Sequence, residues 1–176
     1  MAAATDLHTL RGTDILAAIK QSGIEFVISV PDITTSGDLL WPLSRDPDLR
    51  HIRVCKEDEG IGICSGLSYC GRRGLMMMQQ TGMYDSVNAI RAIGVQYELP
   101  ICMLVGLQGS DASEHPNESD KHIVRVALPV LEALSVRYEL LRHKSDVEKI
   151  RPAIDRAYAE SRPLALVVAT MLPDTP

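Results

Sequence analysis

Three consecutive acidic residues stand where a short apolar run meets a glycine-containing helical pattern. Glu57, Asp58 and Glu59 follow the segment HIRVC and precede the segment GIGICSGL. A carboxyl group fixed at such a junction can hold or transfer a proton during a reaction. It can equally complement the positive end of the helix dipole, which contributes roughly 0.3 to 1 kcal/mol per acid in the first turn. The local pattern leaves both interpretations open.

The helix predicted after these acids contains Gly60, Gly62 and Gly66 among apolar residues. Each glycine inside a helix lowers its stability by about 1 kcal/mol relative to alanine. Such a loss is usually offset where a second helix backbone or a ligand must approach closely. We therefore expect a close contact along this helix.

Polar residues also follow two other predicted strands. The loop VPDITTSGD (residues 30–38) contains Asp32, and its hydroxyl residues Thr35 or Ser36 could instead cap the next helix. The loop QQTGMYDSVNAI is predicted to turn at Gly82, because glycine can adopt a conformation forbidden to other residues there. An Asp85 or Ser86 cap is the structural alternative for this loop.

A third loop, GLQGSDASEHPNESDKH (residues 106–122), is a long polar excursion in a compact chain. Loops of this length without their own secondary structure are usually functional or disordered. His115 in this loop could titrate near neutral pH, or it could be an ordinary solvated side chain. The chain has no Walker A, GxGxxG, HExxH or GxSxG motif, so none of those chemistries is supported.

Short apolar runs and amphipathic patterns alternate along the chain. The runs predict strands at 25–30, 51–55, 75–79, 101–106, 136–140 and 164–169. The amphipathic patterns predict helices at 13–22, 36–44, 57–70, 86–96, 123–134 and 145–160. Continuously apolar strands separated by helices indicate a parallel sheet covered on both faces. We predict a three-layer, doubly wound α/β domain with a six-stranded parallel sheet and ligands at the carboxyl ends of its strands.

Length and composition narrow the class further. A chain of 176 residues suits one domain, and its net charge of −5 disfavours a nucleic-acid partner. No leader pattern and no apolar run long enough to span a bilayer is present, so we expect no membrane partner and a cytoplasmic protein. The four cysteines lie in apolar patterns without metal-ligand spacing, which favours reduced, buried thiols and no metal site.

The order of these segments resembles a known family. VPD after the first strand, then KEDEGIGICSG, MMMQQTGMYDSVNAI, the glycine-containing loop after ICMLV, and VALPVLEAL together resemble the pyrimidine-binding (PYR) domain of thiamine diphosphate-dependent 2-oxoacid decarboxylases. The resemblance covers nearly the whole chain, residues 1–176, as a single PYR domain with the thiamine diphosphate-binding fold. It is closest to the α subunit of sulfopyruvate decarboxylase and to the matching domain of phosphonopyruvate decarboxylase.

The resemblance implies a catalytic role for Glu57, which stands nine residues before Gly66 as the activating glutamate of the family does. A carboxyl group bonded to the pyrimidine nitrogen N1′ favours the tautomer whose 4′-nitrogen can remove the C2 proton of the cofactor. The cofactor then carries the difficult step, and the protein supplies orientation and electrostatics. Asp58 and Glu59 would keep their helix-dipole role.

Other site residues follow from the same resemblance. Cofactor contacts are expected, besides Glu57, from four residues of the segment QQTGMYDSVNAI: Gln79, Thr81, Gly82 and Asn88. Substrate contacts are expected from the residues Asp32, Gln108 and His115. Gln108 stands where sulfopyruvate and phosphonopyruvate enzymes usually have arginine, and glutamine lacks the charge that would pair with a sulfonate or phosphonate. Tyr84 and Asp85 replace a glycine and an asparagine of the family pattern. The substrate is therefore expected to resemble sulfopyruvate or phosphonopyruvate, or to be a related 3-substituted pyruvate.

The chain lacks the GDG motif that holds magnesium and the diphosphate in this family. The resemblance therefore implies a lyase subunit that has no diphosphate-binding (PP) domain and is active only with a β subunit. The β subunit would hold most of the thiamine diphosphate and Mg²⁺, and this chain would also self-associate through its PYR domains near Gly60, Gly62 and Gly66. The alternative is a non-catalytic dimerising or regulatory α/β module that has lost the active site.

Overall fold

The computed structural model describes residues 9–173. A six-stranded sheet in the order β2-β1-β3-β4-β6-β5 forms its centre, and every neighbouring pair of these strands is parallel. The strands are β1 Phe26–Ser29, β2 Arg50–Arg53, β3 Gly74–Gln79, β4 Cys102–Gly106, β5 Arg137–Leu141 and β6 Leu164–Val168. All six predicted strands are thus confirmed. The predicted domain bounds, 1–176, extend past the described residues at both ends and stay a prediction.

Helices connect the strands and cover the sheet. They are α1 Gly12–Gln21, α2 Trp41–Leu43, α3 Glu57–Tyr69, α4 Gln80–Asp85, α5 Val87–Ala89, α6 His122–Arg125, α7 Ala127–Ala133 and α8 Ile150–Glu160. A π-helical turn, Ser36–Leu40, leads into α2, and another, Ile90–Gln96, continues α5. Two 3-10 turns, Pro116–Glu118 and Lys144–Lys149, precede α6 and α8.

Successive side chains of the inner strands point alternately into two apolar clusters, one on each face of the sheet. In β3, Leu75 and Met77 face the cluster that contains α1, α2 and α8, whereas Met76 and Met78 face the cluster that contains α3 and α7. Since both faces are covered, the central strands need no polar alternation. This is the predicted three-layer, doubly wound arrangement, and it directs the carboxyl ends of β1, β3 and β4 to one edge.

The segment after β3 differs from its prediction. It was expected to turn at Gly82 with a backbone conformation that favours glycine, but α4 begins directly at Gln80 and continues to Asp85. Among the described glycines only Gly23, Gly71 and Gly109 have a positive φ. Gly82 is therefore not needed for a positive φ. Its lack of a side chain instead makes room for the carboxyl group of Glu57.

The three glycines of α3 have different surroundings. A side chain at Gly60 would collide with Met76 and crowd Ile28, so this glycine lets α3 pack closely on the sheet. Gly62 and Gly66 are exposed, and no described atom lies within 4 Å of a Cβ placed at either one. The expected close contact at Gly60 is therefore inside the chain, and only the other two glycines remain open to a partner.

The cysteines divide into two classes. Cys64 and Cys102 are buried, as predicted, and burial raises the pKa of the Cys64 thiol to about 12. Cys55 and Cys70 are exposed, contrary to prediction, because each lies just past the end of a regular element. In the described part of the chain, no helix is both long enough and apolar enough to cross a bilayer.

Candidate active site

Glu57 is the first residue of α3, and its half-buried side chain lies against Gly82 of α4. A Cβ at position 82 would overlap the carboxyl group of Glu57. Two segments that follow different strands, β2 and β3, therefore meet at this carboxylate. The sequence resemblance nominated both residues, and the structure brings them together.

The neighbouring acids Asp58 and Glu59 accept hydrogen bonds from backbone N–H groups at the N-terminus of α3. Glu59 accepts hydrogen bonds from the backbone N–H groups of Cys55 (3.0 Å) and Lys56 (3.3 Å). Asp58 accepts one from the backbone N–H of Glu59 at 3.0 Å. Glu57 makes no hydrogen bond or ion pair with any residue that the structure describes. Its carboxylate is the one of the three that remains available to a ligand.

An ion pair joins the start of α3 to the end of α4. The ammonium group of Lys56 lies 3.4 Å from a carboxylate oxygen of Asp85, and this carboxylate is the main cause that raises the pKa of Lys56. Both side chains are more than half exposed, so the pair contributes little to stability. Asp85, a departure from the family pattern, is thus engaged at the rim of the site.

The buried side chain of Gln80 fixes the loop after β4. Its amide nitrogen donates to the backbone oxygen of Gln108 at 2.9 Å, and its amide oxygen accepts from the backbone N–H of Gln108 at 2.9 Å. Sequence reasoning nominated Gln79 and missed Gln80. The two are adjacent glutamines at a strand end, and only the direction of each side chain distinguishes them.

The other nominated residues of the segment QQTGMYDSVNAI, after β3, lie nearer the surface. Gln79 is half-buried, and its amide nitrogen donates to the hydroxyl of Thr81 at 3.0 Å. Asn88 is exposed on α5 and accepts from the guanidinium of Arg91 at 3.0 Å. Gln79, Thr81 and Asn88 make no hydrogen bond to Glu57.

Asp32 is buried and already satisfied locally. Its carboxylate accepts from the backbone N–H of Thr35 at 2.9 Å and from the Thr35 hydroxyl at 2.5 Å. Asp32 therefore orders the turn that leads into the π-helical turn, whose N-cap position is held by Thr35 without a side-chain capping hydrogen bond. Gly106, at the end of β4, lies against Asp32 and Thr34, and a Cβ there would come within 3.0 Å of both. The hydroxyl of Thr34 is buried without a hydrogen-bonding partner among residues 9–173.

The long loop of residues 106–122 is held by cationic side chains. Lys121 donates to the backbone oxygen of Gly109 at 2.6 Å, and Arg125 and Arg142 donate to those of Ser119 and Ala112 at 2.7 and 3.0 Å. His115 accepts from the backbone N–H of Asn117 at 3.3 Å and begins the 3-10 turn. The loop is thus held by Lys121 from within it, by Arg125 of α6 and by Arg142 after β5, and the structure gives His115 a local capping role.

Tyr84 does not obstruct Glu57. Its hydroxyl donates to the backbone oxygen of Ile123 at 2.5 Å, which ties α4 to α6. Burial raises the pKa of this phenol to about 12. The second departure from the family pattern is therefore used for packing between helices. In the described range, no three His, Cys, Asp or Glu side chains are grouped so as to hold a metal ion.

Comparison with known proteins identifies relatives of the chain. No profile of a known protein family matches it. It is 38% identical over 95 residues to the α subunit of sulfopyruvate decarboxylase from Methanococcus maripaludis, covering 54% of this chain and 56% of that protein. It is 26% identical over 155 residues to the same subunit from Methanothermobacter thermautotrophicus, covering 88% of this chain and 92% of that one.

A solved structure shares the fold. The thiamine diphosphate-dependent 4-hydroxybenzoylformate decarboxylase of Rhodococcus jostii RHA1 superposes with a TM-score of 0.64 at 16% identity, covering 95% of this chain and 34% of that one. The α/β fold predicted from the sequence is thus confirmed. The chain spans just over half the length of the Methanococcus subunit. Its likeness to decarboxylase subunits is confirmed by these relatives, whereas the likeness to phosphonopyruvate decarboxylase stays a prediction.

Proposed function

We propose that this chain is the α subunit of a heteromeric thiamine diphosphate-dependent 2-oxoacid decarboxylase and that Glu57 is its catalytic carboxyl group. The observation that carries the proposal is the environment of the Glu57 carboxylate. Its carboxylate is half-buried, has no hydrogen-bonding partner among the described residues, and lies against a glycine at the carboxyl edge of the sheet. A carboxylate in this position is available to a ligand that both helices can contact.

The residues around Glu57 fit an aminopyrimidine ring. Such a ring offers one nitrogen to a carboxyl group, and the missing side chain at Gly82 makes the room that the Glu57 carboxyl group itself occupies. In the proposal, Glu57 holds a proton between its carboxyl oxygen and that ring nitrogen. Bound thiamine diphosphate would supply the electron sink for the negative charge left on the substrate when carbon dioxide departs.

The nearby polar residues would orient the ring. Gln79 and Thr81 are bonded to each other at 3.0 Å, which restricts both side chains before a ligand arrives. The amide nitrogen of Asn88 has no hydrogen-bonding partner among the residues that the structure describes, and it can donate to a ligand. Gln80 acts as a positioning residue, because its two bonds to Gln108 fix the neighbouring loop.

A β subunit completes the proposed site. The relatives from Methanococcus and Methanothermobacter carry the name "subunit alpha", which supports a partner chain. In the proposal, this partner holds the diphosphate and Mg²⁺, and the exposed Gly62 and Gly66 lie near a contact between two PYR domains. The open space beside both glycines supports that contact.

The proposed substrate is sulfopyruvate, phosphonopyruvate or a related 3-substituted pyruvate. The names of the relatives favour the first of these. Both carboxylate oxygens of Asp32 and Nδ1 of His115 accept local hydrogen bonds in the free chain, so substrate contact requires a second hydrogen bond to an Asp32 oxygen and the other ring nitrogen of His115. Gln108 would contact the substrate through its amide group, since its backbone is bonded to Gln80.

Replacing Glu57 by glutamine tests the proposal. The Glu57→Gln chain, co-expressed with the β subunit, should assemble normally and lose about 100- to 10,000-fold in turnover of a 2-oxoacid panel, as expected for a lost acid-base group. Release of carbon dioxide is the readout, and sulfopyruvate, phosphonopyruvate and acids with uncharged tails are all assayed.

Asp58→Asn is the matched control, because this acid is adjacent and exposed. Its turnover should stay close to that of the unaltered complex. Near-normal turnover by Glu57→Gln would reject Glu57 as the catalytic acid. A complex that assembles but turns over none of the acids would favour the non-catalytic α/β module instead.

A further inference from the structure

A cavity of about 610 Å³ lies at the edge of the sheet, between β2 and the helical segment that follows β1. Among the residues lining it are Trp41, Arg45, His51 and Arg53. It is separate from the contact between Glu57 and α4, because α3 packs with Met76 and Ile28 on the opposite face.

The cavity carries positive charge that no carboxylate within residues 9–173 neutralises through an ion pair. Neither Arg45 nor Arg53 makes an ion pair with a described carboxylate. The acid closest in sequence to Arg45 is Asp46, which is paired with Lys20 at 2.7 Å. Of the two acids in the loop after β1, Asp32 is satisfied by Thr35, and Asp38 accepts a hydrogen bond from the backbone N–H of Gly12. Two guanidinium groups without acidic partners are unexpected in a chain with a net charge of −5.

His51 forms the floor between the two arginines and β1. One ring nitrogen, Nε2, lies 2.7 Å from the hydroxyl of the buried Ser29. Burial and, secondly, the charge of Arg53 lower the pKa of His51. Both effects favour the neutral imidazole, and the two arginines carry the formal positive charge of the cavity.

Trp41 supplies an apolar wall. Trp41 is 58% exposed, and the guanidinium carbon of Arg45 lies 4.6 Å from the centroid of its ring. This stacking restricts the guanidinium while leaving its N–H groups free to donate. Planar guanidinium groups held in this way suit the paired oxygens of a phosphate, sulfonate or carboxylate.

We propose that this cavity is an oxyanion-binding site in which Arg53 and Arg45 hold a sulfonate, phosphonate or phosphate group against Trp41. Pro31 and Ser36, which also line the cavity, flank the loop of Asp32 that the sequence assigned to the substrate side. Two sources of the same group are possible. One is the anionic tail of the proposed 2-oxoacid, in which case Arg53 replaces the charge that Gln108 lacks and the inference rests on the proposed function. The other is a free anion such as inorganic phosphate.

Trp41 makes the test direct, because it is the only tryptophan of the chain. Inorganic phosphate is titrated into the full chain while chloride keeps the ionic strength constant, and tryptophan fluorescence and titration calorimetry are both followed. We expect saturable binding. Arg53→Gln should weaken it about tenfold, which corresponds to about 1.4 kcal/mol.

Arg50→Gln is the matched control on the same strand, since the guanidinium of Arg50 lies over Phe26, 5.6 Å from its centroid, and outside the cavity. It should leave the affinity within about twofold, because exposed charges outside a site are screened by salt. The absence of saturable binding in both measurements would overturn the proposal. So would an affinity that Arg53→Gln and Arg45→Gln leave unchanged.

The complex with the β subunit distinguishes the two sources. If the tail of the substrate occupies the cavity, phosphate inhibits competitively, and Arg53→Gln raises KM for a sulfonate-tailed acid but not for an acid with an uncharged tail. If a free anion occupies it, phosphate binds without competing. The phosphate titration needs no turnover, so its failure is distinct from a failure of the proposed decarboxylase function.

Discussion

The contact between Gly82 and Glu57 gives the sharpest mutational prediction. Replacing Gly82 by alanine places a methyl group on the carboxyl end of Glu57. The described atoms nearest to that methyl group belong to the flexible side chain of Glu57, which can rotate away. Since position 82 is helical, alanine also gains about 1 kcal/mol in helix propensity. A displaced rotamer offsets this by roughly 0.5 to 1.5 kcal/mol.

The free energy of unfolding of Gly82→Ala should therefore change by no more than about 1 kcal/mol. Catalysis should respond much more, because a displacement of about 1 Å of a catalytic group can reduce the rate by 100-fold. That loss corresponds to about 2.7 kcal/mol in the barrier. Urea denaturation of the chain measures the first quantity, and kcat of the complex with the β subunit measures the second.

A double variant separates a local effect of Gly82 from an effect on Glu57. If the methyl group acts by moving the carboxylate, Gly82→Ala combined with Glu57→Gln should be no slower than Glu57→Gln alone, since the same interaction has already been removed. Two outcomes refute the reasoning. One is a Gly82→Ala complex that retains normal kcat, and the other is a double variant whose losses add fully.

Three further predictions concern the fold around the site. Gly60→Ala should lower the free energy of unfolding by about 1 to 3 kcal/mol through overpacking. Gly62→Ala in the same helix has open space around it and should raise the free energy of unfolding by up to about 1 kcal/mol. Urea denaturation measures both, and a change of the same sign in the two variants would contradict the packing of α3. Gln80→Leu removes two buried hydrogen bonds and should cost roughly 2 to 4 kcal/mol in the same assay, and a neutral result would mean that the loop after β4 is not held there. A thiol reagent should label the exposed Cys55 and Cys70 quickly and the buried Cys64 and Cys102 only on unfolding. Mass spectrometry of the labelled peptides identifies the fast pair, and any other fast pair would contradict the burial of these thiols.

Much of the fold follows from patterns that the sequence displays directly. The four inner strands were predictable because buried parallel strands are continuously apolar, as in LMMMQ of β3. The start of α3 at Glu57 was predictable because three acids precede an apolar helical pattern. The helix from Gln80 to Asp85 was missed because QQTGMYD contains glycine and polar residues, and a buried contact with Glu57 decides its conformation.

The candidate site was predictable only through the resemblance to a family. That resemblance nominated Glu57 by its spacing from Gly66, but the roles of Gln79 and Gln80 depend on which of two adjacent side chains points inward. The hydroxyl of Tyr84 bonds to Ile123, 39 positions later in the chain, and no local pattern encodes that distance. The cationic cavity likewise combines residues from β2 and from the segment after β1, so it became visible only in three dimensions.

The central claim is that Glu57 activates thiamine diphosphate, and exchange of the cofactor's C2 proton for deuterium tests it most directly. The exchange is followed by nuclear magnetic resonance after rapid acid quenching of the complex between this chain, the β subunit, thiamine diphosphate and Mg²⁺. No substrate is needed, so the result does not depend on which 2-oxoacid is decarboxylated. We predict that exchange is fast in the unaltered complex and in Asp58→Asn and slower by at least about 100-fold in Glu57→Gln, in line with the loss of an acid-base group. Equal exchange rates in the unaltered and Glu57→Gln complexes would contradict the account.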